Sequence, residues 1–484
     1  MAVLAPQLNE VMDPIRPLPT AVVAFVGACG EGPVGEPVTI TSADDYHAQF
    51  GPSLGPDRPL GHAVDLFFAN AADETTSAVV VRTDGSDVEA GVHALDGTGY
   101  TVLVLPGVTT AHTDQVRAAL ERCAAYAAVL LLDLPNGPWI SAQDDLDAIT
   151  AHRERVAVYH PWVVVDGVSL PPSGAVAGVI ARTDRERGVW KAAGGTSAQL
   201  LSIDGLTEAV DQQVGDAMTM AGVNGLRDFG SRGHLVWGAR TLASTATRLT
   251  EERYLPPRRL VDHVRRSVQT GLAGVVFEDD NPGLWTQVRL LVDEFLGGLW
   301  RAGALQGTKP EDAYFVQCGL GQTMTEQDVA DGRVIVRWGM SVSKPAEFAI
   351  STVTLASAVI SRELLAHPLG PVVSRYIGET EKNLARSLEQ AGRVARVLIF
   401  DEADAIFGRR TEIRDSHDRY ANLEVGLRSA DDERDDVDDG ERDRRDKGRR
   451  PARSPRERRE GDTREQHRGG PPGRPTGRGK DDDH

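Results

Sequence analysis

The chain has 484 residues and a formal net charge of -18, room for about two to four domains but a poor match to nucleic acid, because a phosphate-binding face needs a basic excess. Hydrophobic residues make up 40% of it, as in a globular protein, yet no apolar run is long enough to cross a bilayer, so no direct membrane insertion is expected. Cys29, Cys123 and Cys318 form no C-x-x-C pair, which excludes the usual zinc and redox motifs and fits a reducing compartment in which each packs as a small apolar residue.

Residues 1–20 are Pro-rich and read as an extended arm. The run AVVAFVGAC at 21–29 has two readings, a lipoprotein-type signal ending at Cys29 or a buried strand. Glu10 and Asp13 precede it and its apolar core is short, so the strand is favoured and the protein is expected to be made and folded in the cytoplasm. A turn-rich loop, GEGPVGEP, follows at 30–37. Ser42 then stands where it can cap a helix carrying Tyr46 and Phe50, and 79–82 reads as a strand.

Between 85 and 190, apolar runs at 101–105, 129–134 and 162–165 each stop at a Pro or an Asp-Gly turn, and a helix is predicted over 112–127. Short apolar strands alternating with helical stretches imply a mainly parallel α/β sheet. Further on, a helix is predicted over 257–271 with Leu260, Val264 and Val268 on one stripe, then a strand over 274–278. Asn281 caps a helix that has Pro282 at its first position. Its stripe of Trp285, Val288, Val292, Phe295 and Leu299 reads as core rather than a cofactor site. Strands are predicted over 313–318, 333–338 (with Val334, Val336 and Trp338 on one face) and 347–355, and Thr325 with Asp328 marks a short capped helix. Residues 427–484 contain no aromatic residue and mix Asp, Glu, Arg, Gly and Pro, a composition that predicts disorder.

Several blocks resemble, in order, the tail-sheath family of contractile phages and phage-derived injection systems. They are TAVVAFVGACGEGPVGEPVTITSADDYHAQFG (20–51), PPSGAVAGVIARTDRERGVWKAAGG (171–195), HLVWGARTLAS (234–244), the long stretch 258–318, and GRVIVRWGMSVSKPAEFAI (332–350). The resemblance implies an α/β and α+β chain. It would comprise an arm (1–20), the N-terminal part of the conserved sheath domain (21–84), an inserted α/β domain (85–190) and a C-terminal mixed-sheet domain (191–355). It implies a structural subunit, not an enzyme. Subunits would stack as six-membered rings around an inner tube, with baseplate and terminal cap proteins as further partners, in a phage tail-like particle. Terminal arms would add strands to neighbouring subunits, and contraction would drive the tube forward without consuming fuel at that moment. Compared with the family, the N-terminal arm looks short, and the usual end of a sheath gives way to other sequence after about 355.

That other sequence, 360–425, resembles the middle of an AAA+ ATPase, and the segment is taken as 356–426. The apolar run at 397–400 followed by Asp401 and Glu402 has the Walker B pattern. The resemblance implies that Asp401 would help hold magnesium and Glu402 would polarise the attacking water. Hydrolysis also needs a G-x-x-x-x-G-K-[ST] cradle upstream, and none is present; the one Gly-Lys pair, Gly479–Lys480, is followed by Asp481. The segment therefore reads as a fusion remnant, with no cofactor and no functional nucleotide site expected. The rival readings are an ATP-dependent remodelling protein and a non-functional sheath/ATPase fusion product.

Gly195–Ala198 (GTSA) looks like a subtilisin serine motif, but His160 and Asp166 lack the matching contexts, so no catalytic residues are assigned. The histidines show no metal spacing, and no metal site is expected. The charge run Arg182, Asp184, Arg185, Glu186, Arg187 is either a solvated loop or an intersubunit ion-pair patch.

Overall fold

The computed structural model describes residues 12–85, 88–246, 249–277 and 281–356. These lie in the first of two compact units, 1–408; the second, 409–484, lies wholly outside the described residues. So do the Walker B-like Asp401 and Glu402 and the tail for which disorder is expected.

The first part of the chain alternates strands and helices: β1 (Val23–Gly27), β2 (Pro37–Ile40), α1 (Ala43–Phe50), α2 (Leu60–Ala71), β3 (Ala78–Arg82), α3 (Val88–His93), β4 (Val102–Thr109), α4 (Thr113–Tyr126), β5 (Val129–Asp133), α5 (Gln143–Ala148) and β6 (Val156–His160). A small excursion, β7 (Val163–Val165) and β8 (Val168–Leu170), leads into α6 (Ser173–Arg187). Then come β9 (Gly205–Leu206), α7 (Gln212–Met220), β10 (Val223–Asp228) and β11 (His234–Trp237). One eight-stranded sheet runs β11-β10-β6-β5-β4-β1-β3-β2. Its six inner strands are parallel, and the edge strands β2 and β11 are antiparallel to their neighbours.

Burial on both faces explains the unbroken apolar runs of β1 and β5. Val23 and Phe25 join one core layer, and Ala24 and Val26 join the other. On the first face α2 and α6 press together. A Cβ at Gly174 would stand 2.4 Å from the Ala63 carbonyl oxygen, and one at Gly178 would stand 2.4 Å from that of Phe67. The two glycines, one turn apart, allow the backbones to meet.

The remainder is a helix-backed antiparallel sheet. It comprises α8 (Thr250–Arg253), α9 (Leu255–Gly271), α10 (Pro282–Arg301), α11 (Pro310–Ala313), β12 (Tyr314–Cys318), α12 (Glu326–Ala330), β13 (Arg333–Met340) and β14 (Ala349–Ala356), with strand order β12-β13-β14. Asn281 caps α10 by accepting from the Gly283 and Leu284 amides at 2.9 and 3.1 Å, and Thr325 with Asp328 forms a reciprocal capping box on α12. Leu260, Val264 and Val268 of α9 meet Trp285, Val288 and Val292 of α10 and Val334, Val336 and Trp338 of β13 in a third core.

Several expectations change. The strands of 21–84, those of 85–190 and the first strands after 190 share one sheet, so the boundaries expected at 84/85 and 190/191 fall inside a continuous sheet. The C-terminal sheet is antiparallel rather than mixed. Pro106–Gly107 does not end β4, because a register shift between Val104 and Thr109 absorbs the proline, with Gly107 at φ 91°. The strand expected over 274–278 is a 3₁₀ turn, Ala273–Phe277. Packing overrides β propensity there, since the turn seats Leu272 and Val275 in the third core. On α10 the buried row runs through Leu296 instead of Phe295, which is partly buried beside it.

Candidate assembly interface

α9 joins the two sheets. Its apolar stripe faces the third core, and its opposite side, which carries charged residues, is buried as well. There Asp262 receives Arg155 at 2.9 Å, Arg258 at 2.7 Å and Arg265 at 3.3 Å. Burial alone would raise the Asp262 carboxyl, but the three guanidiniums outweigh it and hold it at about 2. One turn away, Arg259 forks onto Asp184 of α6 at 2.9 and 2.6 Å. Neither partnership was visible in the sequence. Only the four-residue Arg258–Asp262 spacing hinted at one, and it could not reveal burial.

The Arg182–Arg187 run is the end of α6 and folds back on its own chain. Arg182 donates to the Asn70 carbonyl at 2.8 Å, and Arg185 donates to that of Ala71 at 3.0 Å and pairs with Asp73 at 3.1 Å, so both cap the end of α2. Asp184 is spent on Arg259. Arg182 and Asp184 thus serve internal structure, while Arg185, Glu186 and Arg187 are exposed.

The residues weighed for hydrolysis are engaged elsewhere. Ser197 Oγ accepts from Arg187, and His160 Nε2 meets Glu208 at 2.9 Å. Burial lowers the His160 pKa in spite of Glu208. Asp166 sits at φ 49° in the turn between β7 and β8, where its amide donates to Asp204 at 2.7 Å. Among the described residues there is no grouping of three or more His, Cys, Asp or Glu side chains able to hold a metal, and no helix long and apolar enough to cross a membrane.

Strand edges distinguish the eight-stranded sheet from the β12-β13-β14 sheet. The β11 edge of the large sheet is covered by its own chain, through Gly195 N–Val236 O (2.8 Å), Val236 N–Ala198 O (2.9 Å) and Leu200 N–His234 O (2.8 Å). Its other edge, β2, is four residues long and begins with Pro37. In the small sheet β12 and β14 each pair only with β13 among the described residues, and β14 is eight residues long. A third sheet, β8-β7-β9, has edge strands of only three and two residues, so the longer edges able to take up a further strand among the described residues are β12 and β14.

This arrangement has close relatives among solved structures. A chain of the contracted helical sheath of the anti-feeding prophage is 31% identical, with 72% of this chain and 97% of that one covered and a TM-score of 0.59. A chain of the contracted sheath complex of PVC, an extracellular contractile injection system, is 30% identical, with 72% and 96% covered and a TM-score of 0.60. The chain belongs to the sheath family of contractile injection systems. A chain of the six-fold symmetrised anti-feeding prophage baseplate is similar to this sheath protein to the same degree, at 31% identity, 72% and 98% coverage and a TM-score of 0.58. No curated protein matches it. Residues 346–435 match the model of the ATPase family associated with various cellular activities (AAA). That match contains the Walker B-like residues and reaches back to include β14.

Proposed function

We propose that the protein is a structural sheath subunit that stacks as hexameric rings around an inner tube and contracts to drive the tube through a target envelope. Its partners are copies of itself, the tube protein, and baseplate and terminal cap proteins, within a tail-like particle assembled after synthesis in the cytoplasm. The observation that carries this reading is the pair of open edges on the small sheet, in a chain whose large sheet has one edge covered and the other short. An arm from a neighbour adding to β12 or β14 links subunits through main-chain hydrogen bonds, which tolerate rotation of one body against the next. Likeness to sheath chains over nearly their whole length supports it.

The AAA match supports a second reading, a remodelling ATPase. Against it stands the lack of any G-x-x-x-x-G-K-[ST] sequence, so no lysine and glycine cradle is available for the phosphates that Asp401 and Glu402 would serve. Residues 356–426 are read as a passive remnant. Negative-stain imaging of the purified chain separates the readings: striated tubes support the sheath, and hexameric rings without tubes support the ATPase.

A further inference from the structure

The segment ahead of β1 is held along α9 of its own subunit. Ile15, 7% exposed, belongs to the third core. It lies against Gly271 so closely that a Cβ there would stand 2.9 Å from its Cγ1 and 3.2 Å from its Cβ. The Leu18 amide donates to Ser267 Oγ at 3.1 Å. The Thr20 carbonyl accepts from Arg259 Nη2 at 3.0 Å and from Thr101 Oγ1 at 2.7 Å. The same Arg259 nitrogen binds Asp184. One guanidinium thus ties the segment to α9 and α9 to α6.

We propose that residues 12–20 are a fixed strap, closed on α9 both in the free subunit and in the assembled sheath, so that this segment does not itself add to a neighbour. The assignment rests on the sheath reading for its consequence in assembly, but not for the docking itself. Three kinds of contact at three successive points make it a strap: an apolar side chain in a glycine notch, an amide on a hydroxyl, and a carbonyl on a buried arginine. A tether held at one point swings; one held at Ile15, Leu18 and Thr20 transmits tension into α9, and through Arg259 and Asp184 into the large sheet.

The test is the full chain carrying Ile15→Cys and Gly271→Cys. The Cβ separation of 3.2 Å is a few tenths of an ångström below the usual range of about 3.5–4.5 Å for a disulfide, and the native Cys29, Cys123 and Cys318 are buried, so the engineered pair reports on the strap. The strap predicts near-complete intramolecular disulfide in dilute protein, and equal yields of pelletable sheath from the oxidised and reduced forms. It is overturned if the disulfide fails to form in dilute protein, or if the oxidised form does not assemble and a reductant restores assembly. If neither the unmodified chain nor a chain ending after Ala356 forms sheath, the sheath reading fails and the disulfide yield alone decides the strap. In an independent measurement, Gly271→Leu should push Ile15 out of its notch and speed amide exchange across 12–20 by about tenfold or more. Unchanged exchange there contradicts the docking.

Discussion

Arg155 and Asp262 stand 107 positions apart in sequence and meet at 2.9 Å, the arginine side chain fully buried and the carboxylate 5% exposed. One comes from the lead into β6 and the other from the middle of α9, so the pair fixes the helix that carries the small sheet onto the large one. Removing one partner of a buried, hydrogen-bonded pair leaves the rest uncompensated, and Asp262→Ala should cost about 3–5 kcal/mol of unfolding free energy. A denaturant titration showing a change below about 1 kcal/mol contradicts the coupling.

Acid stability has two opposing contributions. Asp262, held at about 2 against an ordinary 3.8, stabilises the fold above pH 3.8, and that contribution is lost as pH falls toward 2. Asp133 is the opposite case. Burial pushes it up to about 7, although the Ser173 amide and hydroxyl donate to it at 3.0 and 2.6 Å. Its contribution is fully present below 3.8 and is lost as pH rises through 7. Asp133→Asn keeps one acceptor for the amide and should flatten the stability profile between about pH 4 and 7. A profile with the wild-type slope contradicts the assignment.

The α2–α6 contact should be intolerant of a single methyl. Ala is preferred over Gly in a helix interior by about 1 kcal/mol. At Gly178, however, the new Cβ would meet the Phe67 carbonyl oxygen at 2.4 Å, and backbone cannot swing away. Gly178→Ala should therefore destabilise by about 1–3 kcal/mol. A rise in the melting temperature contradicts the close approach.

On α10, Leu296→Ala should cost about 2–5 kcal/mol and Phe295→Ala less, because Leu296 is fully buried and Phe295 only partly. Thermal unfolding of the two variants side by side decides the order, and the reverse order would place the core one residue earlier, as the sequence stripe alone suggests.

Sequence revealed best what is local. The Asn281 and Thr325 caps depend on a few adjacent residues, and the β1 and β5 runs on continuous burial, so both were legible. Less was legible where a distant partner decides the outcome. Gly174 and Gly178 acquire meaning only against α2, and the strand-like run forms a turn over 273–277 because the third core takes Leu272 and Val275. Likewise, the charges at 182–187 looked free because their acceptors, the carbonyls of Asn70 and Ala71, are more than a hundred residues away in sequence. The strand edges became visible only with the sheet order.

Nucleotide chemistry should be absent. Asp401 and Glu402 lie in the matched AAA segment, but the chain has no phosphate cradle to place a nucleotide against them. The purified protein should release no phosphate from ATP above background, with Glu402→Gln indistinguishable from wild type. Turnover that disappears in that variant contradicts the remnant reading.

The central claim concerns assembly. A C-terminal extension of 128 residues, 357–484, repeated on every subunit crowds a helical lattice. The measurement is sedimentation, with negative-stain imaging of the pellets, of the full chain and of a chain ending after Ala356, each mixed with the inner-tube protein at equal concentration. The account predicts striated sheaths on the tube from the shorter chain and a markedly lower yield from the full one. Failure of both chains to form any ordered sheath on the tube would contradict it.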